Sequence, residues 1–146
     1  MSQLEFQIDL IGSPKQYEQL LMNFINYKTY LSHQIKSIKI LENNNQYTIT
    51  EEELFFKSIK KTFVQQSKHY SMKNNTLTTE IISGPIEGST INIILNGDSS
   101  KTHVTVIINF KIKLQFKIFS PLINQSYKTF IMAILLKMQN SVLNYE

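Results

Sequence analysis

The 146-residue chain contains no cysteine and no tryptophan, and it has only four glycines and three prolines. Without cysteine it can form no disulfide, use no thiolate nucleophile and hold no metal ion through sulfur. The four glycines are scattered, so the sequence contains neither a phosphate-binding P-loop nor a dinucleotide-binding fingerprint. No nucleophile elbow is present either. We therefore expect no bound cofactor, and the lack of cysteine fits a cytoplasmic protein.

A long apolar run is also missing. The longest candidate, FIMAILL (Phe130–Leu136), is followed at once by Lys137. It falls well short of the roughly 18–20 residues that cross a bilayer. The first ten residues, MSQLEFQIDL, contain acidic side chains and no basic region, unlike a signal peptide. We expect a cytoplasmic location, with membrane contact, if any, being transient.

The charge balance is mildly basic, with 15 basic and 11 acidic residues and a net charge of +4. The local concentrations of positive charge are Lys57, Lys60 and Lys61, and then Lys111, Lys113 and Lys117. Neither forms a dense basic stripe, so solubility explains the charge better than nucleic-acid binding does. We expect no nucleic-acid partner, and the pattern leaves the oligomeric state open.

The three histidines, His33, His69 and His103, do not fall at the spacings typical of metal ligands. An ordinary surface or interstrand position is the favoured interpretation for each of them. We therefore expect no metal site.

Alternating apolar and polar residues predict a strand over Leu4–Leu10, and Ser13-Pro14 is a typical helix start. A broken pair of short helices, about twenty residues in all, follows. Six strands joined by short turns come next and indicate an antiparallel meander. The predicted strands are Gln34–Glu42, Gln46–Phe56, Thr62–Met72, Leu77–Ile82, Thr90–Leu95 and His103–Phe119.

The last of these strands, HVTVIINFKIKLQFKIF (His103–Phe119), is apolar at every even position. At about 3.3 Å per residue it would extend about 50 Å, so we expect it to bend and the sheet to curl. The only element long enough to cover its apolar face is a final helix from Pro121 to about Asn144, which would span about 36 Å. The prediction is a single α+β domain over residues 1–146, with a seven-stranded curled antiparallel sheet wrapped around this helix. The space between them is either a cavity or a solid core.

Four stretches stand out in this order of elements: IDLIGSPKQYEQLL (Ile8–Leu21), NYKTYL (Asn26–Leu31), NGDSSKTHVTV (Asn96–Val106) and SPLI (Ser120–Ile123). Together with the order of elements they resemble the helix-grip superfamily of START-like (SRPBCC) domains, which includes polyketide cyclases and the coenzyme Q-binding protein. The resemblance covers essentially the whole chain. It implies a hydrophobic tunnel that binds a lipid, sterol, quinone or polyketide, or, in some members, an enzyme that catalyses cyclisation or dehydration.

Our leading hypothesis is a non-catalytic protein that binds or transports a hydrophobic small molecule. Its ligand would lie between the long strand and the last helix, with the tyrosine-rich second short helix at the mouth. Such a binder needs a cavity of about 300 Å³ or more, whereas a filled core would indicate an interaction module. The expected ligand-binding residues are Tyr27, Tyr30, Leu31, Phe110, Ile112, Leu114, Tyr127, Ile131, Ile134 and Met138.

The alternative is a cyclase or dehydratase that acts on a hydrophobic substrate in the same cavity. Its weak catalytic candidates are Glu51 and Glu53, which are in phase with Ile49 and Phe55 and so could point inward. The favoured interpretation is nevertheless that these carboxylates are solvated or paired with nearby lysines. Polar residues of the next strand, Gln65–Tyr70, could contact a ligand head group, but the alternation does not fix which of them face inward.

Overall fold

Seven antiparallel strands form one sheet in the computed structural model, which describes residues 2–144. Each of the middle strands pairs with its neighbour in sequence, and the last strand also pairs with the first. The meander is confirmed. The strands are β1 (Ser2–Ile11), β2 (Ile35–Asn43), β3 (Tyr47–Phe56), β4 (Lys61–Tyr70), β5 (Thr76–Ser83), β6 (Thr90–Gly97) and β7 (Lys101–Phe110), in the spatial order β1-β7-β6-β5-β4-β3-β2.

The helices follow the predicted order. Helix α1 (Pro14–Leu21) begins with a capping box, in which Ser13 and Gln16 each bond the other's backbone amide. A 3₁₀ turn (Phe24–Asn26) and the one-turn helix α2 (Tyr27–Tyr30) complete the broken helix pair. The long helix α3 (Ser120–Leu143) is preceded by a second 3₁₀ helix, Leu114–Phe119. No helix of residues 2–144 is long and apolar enough to cross a membrane.

Helix α3 packs on the concave face of the curled sheet, as expected for a helix-grip fold. Irregular pairing between β2 and β3, and between β4 and β5, adds to the curl, because a β-bulge bends its strand. The inward residues of β7, from Val104 to Phe110, are fully buried. Opposite them lie the buried residues of α3, which are Ile123, Tyr127, Ile134, Leu135 and Met138.

The predicted strand His103–Phe119 is wrong beyond its first half, because β7 ends at Phe110. Its pairing with β6 has run out at that point, because Asn109 pairs with Thr90, the first residue of β6. Without a partner ladder, the backbone of the following residues cannot stay in the sheet and forms the 3₁₀ helix instead. Leu114 and Ile118 therefore lie outside, 85% and 84% exposed. The curl does not depend on an overlong strand.

We predict that Ile108→Ala lowers the free energy of unfolding by about 2–5 kcal/mol, since it removes fully buried methyl groups. Ile107→Ala, on the half-buried outer face of the same strand, is the matched control and costs clearly less. Urea denaturation of both variants measures the difference. Equal losses would contradict the assignment of the two faces.

Candidate functional site

An internal cavity of about 110 Å³ lies between the concave face of the sheet, α3 and the helical segment 24–31. Its wall is mostly apolar, with a compact group of polar side chains on one side. The helical contribution comes from Phe24, Tyr27, Leu31, Tyr127, Phe130, Ile131 and Ile134.

The cavity is smaller than the predicted 300 Å³ and below the usual range of ligand pockets, about 300–1,000 Å³. The hydrophobic tunnel that the resemblance implies therefore stays a prediction. The space is nearer to an engineered protein cavity of about 150 Å³ that admits benzene. The core is not completely filled, because the sheet and α3 leave this space between them.

Polar side chains from three adjacent strands line one wall of this cavity. Strands β3, β4 and β5 place them side by side, since Glu52 pairs with Gln65 and His69 pairs with Thr79. All are buried, although strands usually direct apolar residues to a core. We call them the polar cluster. Glu52, Gln65, Ser67, His69 and Thr79 line the cavity, with Tyr127 of α3 opposite, and the buried Thr50 joins the cluster through its contacts with Glu52 and His69.

One branch of hydrogen bonds runs from α3 to Glu52. The hydroxyl of Tyr127 donates to the side-chain oxygen of Gln65, whose amide nitrogen lies 3.3 Å from Ser67 Oγ. Ser67 in turn donates to Glu52 Oε1 at 2.7 Å. This branch fixes the Tyr127 ring, so the helix and the sheet are joined by polar as well as apolar contacts.

The second branch links Glu52 to His69. Thr50 Oγ1 lies 3.1 Å from Glu52 Oε2 and 2.9 Å from His69 Nε2, and His69 Nδ1 lies 2.8 Å from Thr79 Oγ1. When Glu52 is ionised, Thr50 donates to it, and since a hydroxyl has one proton to donate, His69 Nε2–H donates to Thr50 and Nδ1 accepts from Thr79. When Glu52 is protonated, its own O–H can donate to Thr50, and the direction of this branch reverses. Burial lowers the pKa of His69 to about 3, so the ring is neutral in both cases.

Glu52 has an environment that favours its protonated form. Burial in the cavity wall raises the pKa of Glu52 to about 7, against the opposite effect of its hydrogen bonds. No lysine among residues 2–144 forms an ion pair with it, and His69 is neutral. The carboxyl group can therefore change its protonation state near neutral pH, which suits it to bind a polar group or to transfer a proton.

The inward orientation proposed for Glu51 or Glu53 is wrong by one residue, because both face away from the cavity. Glu51 lies 3.2 Å from Lys39 Nζ and accepts a hydrogen bond from Gln66. These two contacts lower the pKa of Glu51, and the hydrogen bond from Gln66 has the larger effect. The expected partners were lysines of the following turn, but the partner is on β2. The apolar residues of β3 do not mark its inward face, because Phe55 also faces outward, where Lys36 lies over its ring.

The ten expected ligand-binding residues divide into three groups. Tyr27, Leu31, Tyr127, Ile131 and Ile134 line the cavity, and their binding of a ligand stays a prediction. Leu114 and the half-buried Ile112 lie beyond the end of β7, away from it. The remaining three are buried but lie outside the cavity wall: Tyr30, Phe110 and Met138.

The helical segment covers part of the cavity over the polar cluster. The ring of Phe24 stacks on His69, with centroids 4.0 Å apart and planes 17° from parallel. Tyr27 is held by a hydrogen bond of its hydroxyl to the Leu21 carbonyl oxygen at 2.5 Å. Within residues 2–144, no group of three or more histidine and acidic side chains is placed to hold a metal ion.

No family model and no curated protein matches the sequence. Solved structures, however, superpose along nearly its whole length. A protein of Thermus thermophilus matches with a TM-score of 0.81 at 11% identity, over 97% of each chain. The Zhui aromatase/cyclase of Streptomyces sp. R1128 matches with 0.81 at 9% identity, over 97% of this chain and 95% of that one. A START superfamily protein of Mycobacterium smegmatis matches with 0.77 at 13% identity, over 94% and 97%.

The chain has the START-like helix-grip fold. At these identities the likeness shows the fold alone, and it confirms the resemblance found in the sequence. The helix-grip fold brings the polar cluster and α3 to opposite walls of one cavity, but the chemistry of that cavity depends on this chain's own side chains.

We predict that Glu52→Gln changes how stability depends on pH. Since burial raises the folded-state pKa from 4.5 to about 7, the stabilising contribution of the protonated carboxyl is complete below pH 4.5. It is lost as the pH rises through 7. The free energy of unfolding of Glu52→Gln relative to the wild type should therefore rise by up to about 3 kcal/mol between pH 4.5 and about pH 8.

Urea denaturation across this pH range measures the effect, and the contribution of His69 cancels because both proteins contain it. Glu53→Gln, on the outer face of the same strand, is the matched control and should retain the wild-type pH dependence. A constant difference between Glu52→Gln and the wild type would contradict the buried carboxyl.

Proposed function

We propose that the protein binds a mainly apolar small molecule in the internal cavity, with one polar group of the ligand hydrogen-bonded to the polar cluster. The observation that carries this proposal is the inward-facing Glu52. A carboxyl group in an apolar interior lowers stability, and an apolar side chain at this position would pack without that cost. Departures of this kind from ordinary core composition are typical of functional sites.

The two walls of the cavity would contribute differently to binding. The apolar wall, including Ile131 and Ile134, would supply affinity in proportion to the apolar area removed from water, at about 25 cal/mol per Å² before ordering costs. The polar cluster would supply selectivity. Its protonated Glu52 can donate to a carbonyl oxygen, and its ionised form can accept from a hydroxyl group.

The cavity volume limits the ligand in this conformation to a small ring or a short chain. A lipid, quinone, sterol or polyketide would need more space, which displacement of the segment 24–31 would supply. This segment is the least regular part of the cavity wall, since it consists of a 3₁₀ turn and a one-turn helix. Such an opening would separate Phe24 from His69 and let a ligand reach the polar cluster.

Phenol and benzene form a matched pair of probes for this proposal. We predict that both raise the melting temperature, and that phenol binds at least about fivefold more tightly, because its hydroxyl can bond to the polar cluster. In Glu52→Gln the preference for phenol should shrink while benzene binding is kept. Calorimetry or NMR shifts of the cavity methyl groups would measure both affinities. If neither compound binds, the proposal fails.

Glu52 also favours a second candidate function, an enzyme of the cyclase or dehydratase type. A carboxyl group with a pKa of about 7 is suited to general acid–base catalysis at neutral pH. The similar structure named as an aromatase/cyclase supports this alternative. Glu52 would then remove or deliver the proton, and Tyr127 and Gln65 would orient the substrate oxygen.

A small β-hydroxy ketone, 4-hydroxybutan-2-one, tests this alternative, because loss of water yields a conjugated enone that is followed by ultraviolet absorbance. If the protein is such an enzyme, Glu52→Gln should slow turnover by about a hundredfold or more, whereas Glu53→Gln should not. The wild-type rate should change near pH 7. Absence of turnover by the wild type, or equal rates in both variants, would leave the binding role as the better proposal.

A further inference from the structure

Three connections meet at the end of the sheet where α3 begins. Because neighbouring strands are antiparallel, the turn 57–60, the loop 84–89 and the segment 111–119 all lie at this end of the sheet. The third segment also contacts the loop 84–89 and strand β4. The Lys113 amide donates to the Pro85 carbonyl oxygen at 3.0 Å, and Phe116 packs edge-to-face on Phe63 at 5.3 Å. We call this region the basic end surface.

The positive charge of the chain is concentrated on this surface. Its three connections, together with Lys61 at the start of β4, contain six lysines and one acidic residue, Glu87, a balance of +5, while the rest of the chain has nine lysines and ten acidic residues, a balance of −1. The three connections at the opposite end, 44–46, 71–75 and 98–100, together with Lys101 at the start of β7, contain two lysines and one aspartate. The six lysines are Lys57, Lys60, Lys61, Lys111, Lys113 and Lys117.

Five of these six lysines are free to meet an external partner. They are exposed, whereas Lys113 is half-buried. Lys113 lies 3.5 Å from Glu87, and none of the other five forms an ion pair within residues 2–144. The structure therefore does not neutralise this charge internally.

Two aliphatic side chains project from the middle of this charge. Leu114 and Ile118, at 85% and 84%, are the most exposed large hydrophobic residues that the structure describes. Leu122, in the first turn of α3, is also exposed. The segment that carries them is held in place by the packing of Phe116 on Phe63, so the aliphatic groups are presented to solvent on a fixed support.

We propose that the basic end surface docks on a membrane containing anionic lipids. Leu114 and Ile118 enter the headgroup layer, and the surrounding lysines contact the anionic headgroups. Amphipathic segments with this combination of aliphatic and lysine side chains bind membrane surfaces in two ways: the aliphatic groups bury apolar area, and the lysines attract anionic lipids. A nucleic acid fits less well, because the projecting groups are aliphatic, whereas single strands bind by stacking on aromatic rings.

The docking surface adjoins the cavity but does not depend on it. Phe63 packs on Phe56, which packs on Phe130 of the cavity wall, with ring centroids about 5.4 Å apart in both contacts. When the basic end surface is docked on a membrane, the cavity wall that contains Phe130 would face the lipid. Membrane binding can nevertheless be measured with the cavity empty, so its outcome is separate from that of ligand binding.

Flotation of the full chain with vesicles tests the proposal. One set contains phosphatidylcholine alone, and the other contains about 30% phosphatidylserine. We expect binding to the anionic vesicles, at least about tenfold weaker binding to the neutral ones, and release in about 0.5 M sodium chloride, which screens the charges.

Two variants separate the apolar and charged contributions. The pair Leu114→Ser and Ile118→Ser removes the inserted groups, and the set Lys57→Gln, Lys61→Gln and Lys117→Gln removes three charges. Each should weaken binding by at least about tenfold. The matched controls are the pair Leu136→Ser and Leu143→Ser and the set Lys15→Gln, Lys73→Gln and Lys137→Gln, exposed residues away from the surface, and they should bind like the wild type.

The proposal is overturned if the wild type does not bind anionic vesicles, or if the surface variants bind as well as their controls. It is also overturned if loss of charge weakens binding but loss of Leu114 and Ile118 does not, since the surface would then attract any polyanion. A single-stranded oligonucleotide that binds more tightly than the vesicles would assign the surface to nucleic acid instead. Circular dichroism confirms that each variant is folded.

Discussion

The packing of α3 on the concave face of the sheet is the contact on which the rest of the structure depends. The sheet directs most of its large apolar side chains to one side, and within residues 2–144 only this 24-residue helix is long enough to cover them. A straight helix cannot touch a curled sheet everywhere. The segment 24–31 fills part of the remaining space, and the cavity is what is left.

The polar cluster makes this gap more than a packing defect. Its hydrogen bonds satisfy the buried hydroxyl, amide and imidazole groups, so the cost of burying them is limited. The carboxyl group of Glu52 is the member of the cluster whose burial lowers stability most, because no cation among the described residues pairs with it. Selection for stability alone would not keep such a group, which supports the proposal that it contacts a ligand.

The order of elements and the inward stripe of α3 could be predicted from the sequence, since Tyr127, Ile131 and Ile134 recur at helical spacing and all reach the cavity. The end of β7 could not. Alternation continues past Phe110, and only the pairing with β6 shows that the ladder has stopped. Alternation predicts that a segment can form a strand, whereas the length of the strand is set by the neighbouring strands that pair with it.

The candidate site was harder to predict for a related reason. Strand β3 has large apolar residues on both faces, with Leu54 and Phe56 inward and Phe55 outward, so hydrophobicity alone gave the wrong phase for the three glutamates. His69 had no sequence partner at a recognisable spacing. Its partners, Thr50 and Thr79, lie on adjacent strands and are brought to it by sheet register.

Native mass spectrometry of the protein purified from its own host tests the central claim most directly, because it measures cavity occupancy without assuming a ligand. The account predicts a fraction of molecules with one additional small mass, which extraction with organic solvent removes and identifies as an apolar compound with a polar group. The bare mass of the chain in every preparation, together with no uptake from a panel of apolar compounds, would contradict it.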